Sequence, residues 1–115
     1  DSVFGGDGRD AVFGGQGDDT IYGEAGDDTL SGDRGNDILN GGAGADRFVF
    51  LENGGLDWVV GFNAGEGDRI QLAPGAAYTI ISVGGQAVID LGQGAMIGLA
   101  GVSIGAMGDW LVLGA

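Results

Sequence analysis

Aspartate recurs at every ninth residue through the first part of the chain, at Asp1, Asp10, Asp19, Asp28, Asp37 and Asp46. Carboxylates at a fixed spacing can work as acid–base pairs, cap turns, or gather a cation. The rest of the composition narrows that choice. There is no Cys and no His, which excludes thiolate or imidazole zinc sites and any Ser–His or Cys–His nucleophile pair. Acids outnumber bases 17 to 4, for a formal charge of −13. Eleven of the acids fall in residues 1–46 against Arg9 and Arg34, and six in residues 47–115 against Arg47 and Arg69. So acidic a chain offers no footprint for nucleic acid or an anionic membrane surface. Its natural counter-ligand is a cation.

The elements that must hold these acids are legible as repeats. Five consecutive nonapeptides run from Gly5 to Val49: GGDGRDAVF, GGQGDDTIY, GEAGDDTLS, GDRGNDILN and GGAGADRFV. Asp1 to Phe4 supply the last four positions of a sixth. Positions one and four are always Gly, position six always Asp, and position eight always a bulky apolar residue. The Gly-rich stretch ending in Asp is a tight loop, and the last three residues are a short strand with its middle side chain on one face. A nine-residue loop and strand make half a coil turn. Strands from alternate units would then stack in parallel about 4.8 Å apart. One sheet would bury Val3, Ile21 and Leu39, and the facing sheet Val12, Leu30 and Phe48.

Stacking also places the acids in two columns, Asp1–Asp19–Asp37 and Asp10–Asp28–Asp46. Two carboxylates about 5 Å apart repel by roughly 3 kcal/mol at an effective dielectric of 20. A few such contacts rival the stability of a small domain, about 5–15 kcal/mol. A divalent cation between the loops reverses the sign, and glycine-rich loops offer carbonyl oxygens as further ligands. An all-oxygen, flexible site favours Ca²⁺ over Zn²⁺ or Mg²⁺. Turn capping without metal is the plainer alternative, but it would tolerate Asn or Ser at some units. The neighbouring acids Asp18-Asp19 and Asp27-Asp28 read as one solvated and one metal-binding carboxylate rather than as a catalytic pair. Neither G-x-x-x-x-G-K-[ST] nor G-x-G-x-x-G occurs, so the loops are not phosphate cradles.

Beyond the repeats the chain reads as a second region without a repeat, from residue 50 to 115. Its strand candidates are Arg47–Leu51, Trp58–Phe62, Arg69–Leu72, Tyr78–Val83, Gln86–Leu91, Ala95–Leu99 and Trp110–Leu113. Gly84-Gly85 signals a hairpin and Gly92-Gln93-Gly94 a second turn. Trp58, Trp110, Phe50 and Phe62 read as core residues of this cap, with sugar stacking the alternative for either Trp. No apolar run approaches a membrane span. Opening on Asp1, mid-pattern and without Met, the chain reads as a piece of something longer.

The pattern G-G-x-G-x-D-x-U-x, with U large and apolar, resembles the RTX nonapeptide of calcium-binding parallel β-rolls. The later segments Arg47-Phe48-Val49-Phe50, Asp57-Trp58-Val59-Val60-Gly61-Phe62 and Gly67-Asp68-Arg69-Ile70-Gln71-Leu72 resemble the C-terminal flank of such proteins. Gly108-Asp109-Trp110-Leu111-Val112 resembles the end of type I secretion substrates. The resemblance implies an all-β fold, a right-handed parallel β-roll over residues 1–49 followed by a short-stranded β cap over 50–115 that carries the secretion signal.

The resemblance also implies ligands. In that family one loop gives its second and fourth carbonyls and its Asp, and the loop two units on gives its first and third carbonyls and its Asp. Carried over, one site joins Gly6, Gly8 and Asp10 to Gly23, Ala25 and Asp28. A second joins Gly15, Gly17 and Asp19 to Gly32, Arg34 and Asp37, and a third joins Glu24, Gly26 and Asp28 to Gly41, Ala43 and Asp46. A partial site would use Asp1 with Gly14, Gln16 and Asp19. Glu24 and Asp33 replace the second glycine of their units, at a conformational cost but without loss of a backbone ligand. Asp33, Gly35 and Asp37 would open a further site completed by the flank, with Asp57 and Asp68 as candidate donors. Three to five Ca²⁺ ions follow.

The function implied is a non-enzymatic, secreted or cell-surface module of a Gram-negative bacterium. It folds on Ca²⁺ outside the cell and supports the stability and type I export of a larger protein through an ABC transporter. The alternatives are a polysaccharide-binding module, as in alginate epimerases, and a calcium-dependent adhesin or surface-layer segment.

Overall fold

The computed structural model describes residues 2–32, 35–50, 55–63, 67–72, 78–92 and 95–100, and the backbone of 111–113. Each nonapeptide contributes one short strand: β1 Ser2–Phe4, β2 Ala11–Phe13, β3 Thr20–Tyr22, β4 Thr29–Ser31, β5 Ile38–Asn40 and β6 Arg47–Phe50. The flank adds β7 Leu56–Val60, β8 Arg69–Leu72, β9 Thr79–Val83, β10 Gln86–Gly92, β11 Ala95–Leu99 and β12 Leu111–Leu113. Odd and even repeat strands segregate as the half-turn geometry requires. One sheet runs β1-β3-β5-β7-β11-β10-β9 and the other β12-β8-β6-β4-β2.

The register follows the apolar eighth position. Val3 stands opposite Ile21, and Ile21 opposite Leu39. In the other sheet Val12 stands opposite Leu30, and Leu30 opposite Phe48. Only the middle residue of each three-residue strand faces inward, so one large side chain per unit builds the core. Ile21, Leu30, Leu39 and Phe48 are fully buried and Val12 nearly so, with Val3 packed half-buried against them. This is a parallel β-roll.

The flank departs from the expectation that it carries no repeat. β7 pairs in parallel with β5, setting Leu39 opposite Val59, and β8 pairs in parallel with β6, setting Phe48 opposite Ile70. Both sheets therefore pass beyond residue 50 in the same coil. Two further parallel pairings follow, β11 on β7 and β12 on β8. The Gly84-Gly85 hairpin forms as expected: Gln86 pairs with Val83, and both glycines have positive φ, 60° and 83°. β10 and β11 are also antiparallel. Gln93 and Gly94 of the second expected turn lie outside the described residues.

Trp58 needs a correction. The strand expected over Trp58–Phe62 is Leu56–Val60, and its pleat turns Val59 inward and leaves Trp58 41% exposed. The indole lies instead across Gly98, where any Cβ would collide with the ring. Phe50 is buried, and Phe62 packs half-buried on Phe48 with ring centroids 6.0 Å apart. Trp110 lies outside the described residues.

Because one inward residue per unit carries the core, its truncation should be felt in full. Leu30→Ala in saturating calcium should cost about 2–5 kcal/mol in urea unfolding. Phe13→Ala, at a side chain 61% exposed, should stay within about 0.5 kcal/mol of wild type. Equal effects of the two substitutions would contradict this division of faces.

Candidate metal centre

The loops hold the sixth-position aspartates in two continuous ladders. Asp28 Oδ1 accepts the Asp10 N–H at 2.9 Å, and Asp46 Oδ1 accepts the Asp28 N–H at 2.9 Å. In the other column Asp37 Oδ1 accepts the Asp19 N–H at 2.8 Å. The ladders do not stop with the repeats. Asp57 Oδ1 accepts the Asp37 N–H at 2.9 Å, and Asp68 Oδ1 accepts the Asp46 N–H at 2.8 Å. Each of these acids thus directs one oxygen to the main chain of the loop two units earlier.

The second oxygen is the chemically active one. Oδ2 of Asp10, Asp28, Asp37 and Asp46 is buried with no hydrogen-bond partner in the protein. Asp28, Asp37 and Asp46 are 2%, 1% and 1% exposed. An ionised oxygen removed from water with nothing donating to it is heavily penalised unless a cation is supplied.

The first-position glycine makes room for that oxygen. A Cβ on Gly5 would stand 3.2 Å from Asp10 Oδ2 and 3.1 Å from the Gly23 carbonyl oxygen. On Gly14 it would stand 2.9 Å from Asp19 Oδ2 and 3.1 Å from the Gly32 oxygen, and on Gly23 2.7 Å from Asp28 Oδ2 and 2.9 Å from the Gly41 oxygen. Three pairs from the expected ligand sets therefore converge: Asp10 with Gly23, Asp19 with Gly32, and Asp28 with Gly41. The carbonyls of Gly8, Gly17 and Gly26 abut the fourth-position glycines Gly26, Gly35 and Gly44 of the loops two units on. The Ala25 carbonyl accepts the Gly8 N–H at 3.1 Å, which leaves it one lone pair. Gly6, Gly15, Gln16 and Ala43 occupy the same loops. Asp1, Asp33 and Arg34 lie outside the described residues. Glu24 takes the second position at φ 66°, the strained conformation expected where a side chain replaces glycine.

Among the described residues no three acidic side chains form a cluster. Any bound ion would therefore draw part of its ligands from main-chain oxygens or water. Hard oxygen donors, orphaned buried carboxylate oxygens and a glycine-walled gap together fit Ca²⁺.

A second ladder was not anticipated. Asp18 Oδ1 accepts the Asn36 N–H at 2.8 Å, Asp27 Oδ1 the Ala45 N–H at 2.9 Å, and Asn36 Oδ1 the Leu56 N–H at 2.8 Å. The fifth-position acids are exposed, as expected, but they also tie successive loops together. The signal was present in the sequence, as Asp or Asn at position five of three consecutive units.

The fold and these columns define a calcium-binding β-roll, and comparison with known proteins agrees. The family model described as the RTX calcium-binding nonapeptide repeat (4 copies) matches residues 1–21 and 22–50. Residues 1–50 are RTX calcium-binding repeats. A search of curated proteins returns no match. Among solved structures the chain is similar to the extracellular lipase LipA from Serratia marcescens, at 28% identity and a TM-score of 0.62. The similarity covers 97% of this chain and 20% of LipA. The chain thus spans about a fifth of that protein's length.

The protein environment favours protonated acids where no metal is bound. Burial, above all, raises Asp28 and Asp37, and it pushes Asp46 and Asp57 up to about 7. Main-chain N–H donors oppose the shift, while neighbouring carboxylates, Asp68 and Asp28 for Asp46 and Asp37 for Asp57, add to it. An unfolded Asp titrates near 3.8. The neutral carboxyls therefore stabilise the metal-free roll fully below that pH, and the contribution is lost as pH rises through about 7. In EDTA, circular dichroism should show more roll at about pH 5.5 than at about pH 7.5. Protons and calcium compete, so the calcium midpoint should rise as pH falls over the same interval. Metal-free order that increased with pH would contradict the assignment.

Proposed function

We propose that this chain is the calcium-triggered folding module of a larger exported protein. The observation that carries the reading is the succession of buried carboxylate oxygens without donors, layer after layer, in a chain of charge −13. The ions are held between loops two units apart. Asp10, Gly6 and Gly8 would share one ion with Asp28, Gly23 and Ala25; Asp19, Gly15 and Gly17 a second with Asp37 and Gly32; and Asp28, Glu24 and Gly26 a third with Asp46, Gly41 and Ala43. Gly14, Gln16 and Asp19 would supply a partial site at the start of the column.

Extracellular calcium modules bind at about 10⁻⁴ to 10⁻³ M. Cytosolic calcium is far below that range, so like-charge repulsion keeps the acidic repeats unfolded inside the cell and competent to cross a narrow channel. Outside, calcium binds only the folded state and stabilises it by mass action. The flank closes the roll and carries the signal read by a type I, ABC-transporter secretion machine. The similarity to an extracellular lipase supports a secreted location.

Two measurements test the two halves of this proposal. Circular dichroism at neutral pH should be disordered in EDTA and gain its β signal in millimolar CaCl₂; a complete β signal in EDTA would refute calcium-triggered folding. Deleting residues 100–115 from a tagged, exported parent should leave the protein in the cells, and unchanged secretion would refute the export role.

A further inference from the structure

Each repeat hands its ninth residue to the first-position glycine of the next unit. Four of these junctions are Phe4-Gly5, Phe13-Gly14, Tyr22-Gly23 and Ser31-Gly32, and the fifth is Asn40-Gly41. The glycine is imposed by the fold, because a Cβ on Gly41 would collide with the Asp46 carboxylate. The asparagine is this junction's own. Asparagine followed by glycine is the least durable pairing in a polypeptide, since an unhindered main-chain nitrogen lies within reach of a carboxamide carbon.

Two contacts act on Asn40 in opposite directions. Its Oδ1 accepts the Gly42 N–H at 3.0 Å, which polarises the carboxamide carbon. That contact spans only two residues, so it can form without the rest of the roll. The other contact is the sheet. Asn40 ends β5, in parallel register with Tyr22 on one side and Val60 on the other. Its carbonyl accepts the Gly23 N–H at 2.8 Å. Ring closure onto the Gly41 nitrogen needs Asn40 to rotate about its Cα–C bond, out of the extended conformation near ψ of about +115°. Both neighbouring strands resist that rotation. The activating contact is local, and the restraint comes from tertiary pairing.

We propose that Asn40 is a spontaneous modification site, guarded by the folded roll and open in the unfolded chain. The Gly41 nitrogen attacks Asn40 Cγ, and its proton leaves with the side-chain amide as ammonia, which closes a cyclic imide. Water then opens the imide at either carbonyl, to aspartate or to isoaspartate. Isoaspartate places an extra methylene in the main chain just ahead of Gly41. A Cβ on Gly23 would stand 2.9 Å from the Gly41 carbonyl oxygen and 2.7 Å from Asp28 Oδ2, so that carbonyl and that carboxylate meet in one layer. The inserted methylene displaces the carbonyl from it. Asn40 thereby records the time the chain has spent unfolded. That calcium controls this time rests on the function proposed above.

The test ages the full chain at neutral pH in EDTA or in millimolar CaCl₂, with circular dichroism on both samples. Peptide mapping by mass spectrometry should show the Asn40-Gly41 fragment gaining about 1 Da in EDTA, with isoaspartate as a product. In calcium the conversion should be at least ~10-fold slower. No conversion in EDTA overturns the site, and equal rates overturn the guarding role of the ladder when only the calcium sample is folded. If calcium leaves the spectrum unchanged, the calcium reading fails by itself. Ageing in buffer against concentrated urea then decides for Asn40: slower conversion in buffer supports the inference, and equal rates refute it. A second comparison reads the consequence, in chains that all carry Asn53→Gln to silence Asn53-Gly54, the other such pair in the sequence. After ageing in EDTA and return to calcium, the chain with Asn40→Gln should recover its full β signal. The chain that keeps Asn40 should fall short in proportion to its isoaspartate, and equal recovery refutes the damage to that layer.

Discussion

The fold depends on how stacked carboxylates are neutralised. Asp28, Asp37 and Asp46 each hold the N–H of the loop two units earlier with one oxygen and bury the other against the first-position glycine of their own unit. The hydrogen bonds fix the spacing between loops, and that same spacing brings like charges together. A short-stranded coil with one inward side chain per unit has little core with which to offset such repulsion. The hydrophobic pattern makes the coil possible; the electrostatics decide when it forms. A cation set between the loops would offset that repulsion.

The glycines divide the work between them. Those at the second and fourth positions provide backbone conformations with positive φ, such as Gly8 at 98° and Gly26 at 109°. Those at the first position have no positive φ and are required for space, because the carboxylate of their own unit lies against Cα. This explains why Glu24 is tolerated at a second position while the first position is glycine in all five complete units.

The repeat half was almost wholly legible in the sequence. Four columns in register determine which strands pair, which side chains turn inward and which acids stack. The flank was less legible because its coil keeps only the residues that the physics demands. Asp57 lies 20 residues from Asp37, and Asp68 lies 22 from Asp46, where the repeats hold 18. Those extra residues break the period that identifies a repeat, while Asp at position six and an apolar residue at position eight persist. Trp58 was misplaced for a related reason: an aromatic in an apolar run reads as core, and only the pairing register shows that Val59 faces inward. The fifth-position ladder through Asp18, Asp27 and Asn36 is hard to see in the sequence because exposed acids beside buried ones look merely solvated.

The alternation of strands between two sheets imposes a rule of parity on how such an array can lengthen. Adding a single nonapeptide would rotate everything ahead of it by half a coil relative to the Gly84-Gly85 hairpin. Adding two would restore the original facing and displace it by one strand spacing, about 4.8 Å. Duplication in pairs thus preserves the orientation of any neighbouring domain, and duplication of one unit inverts it.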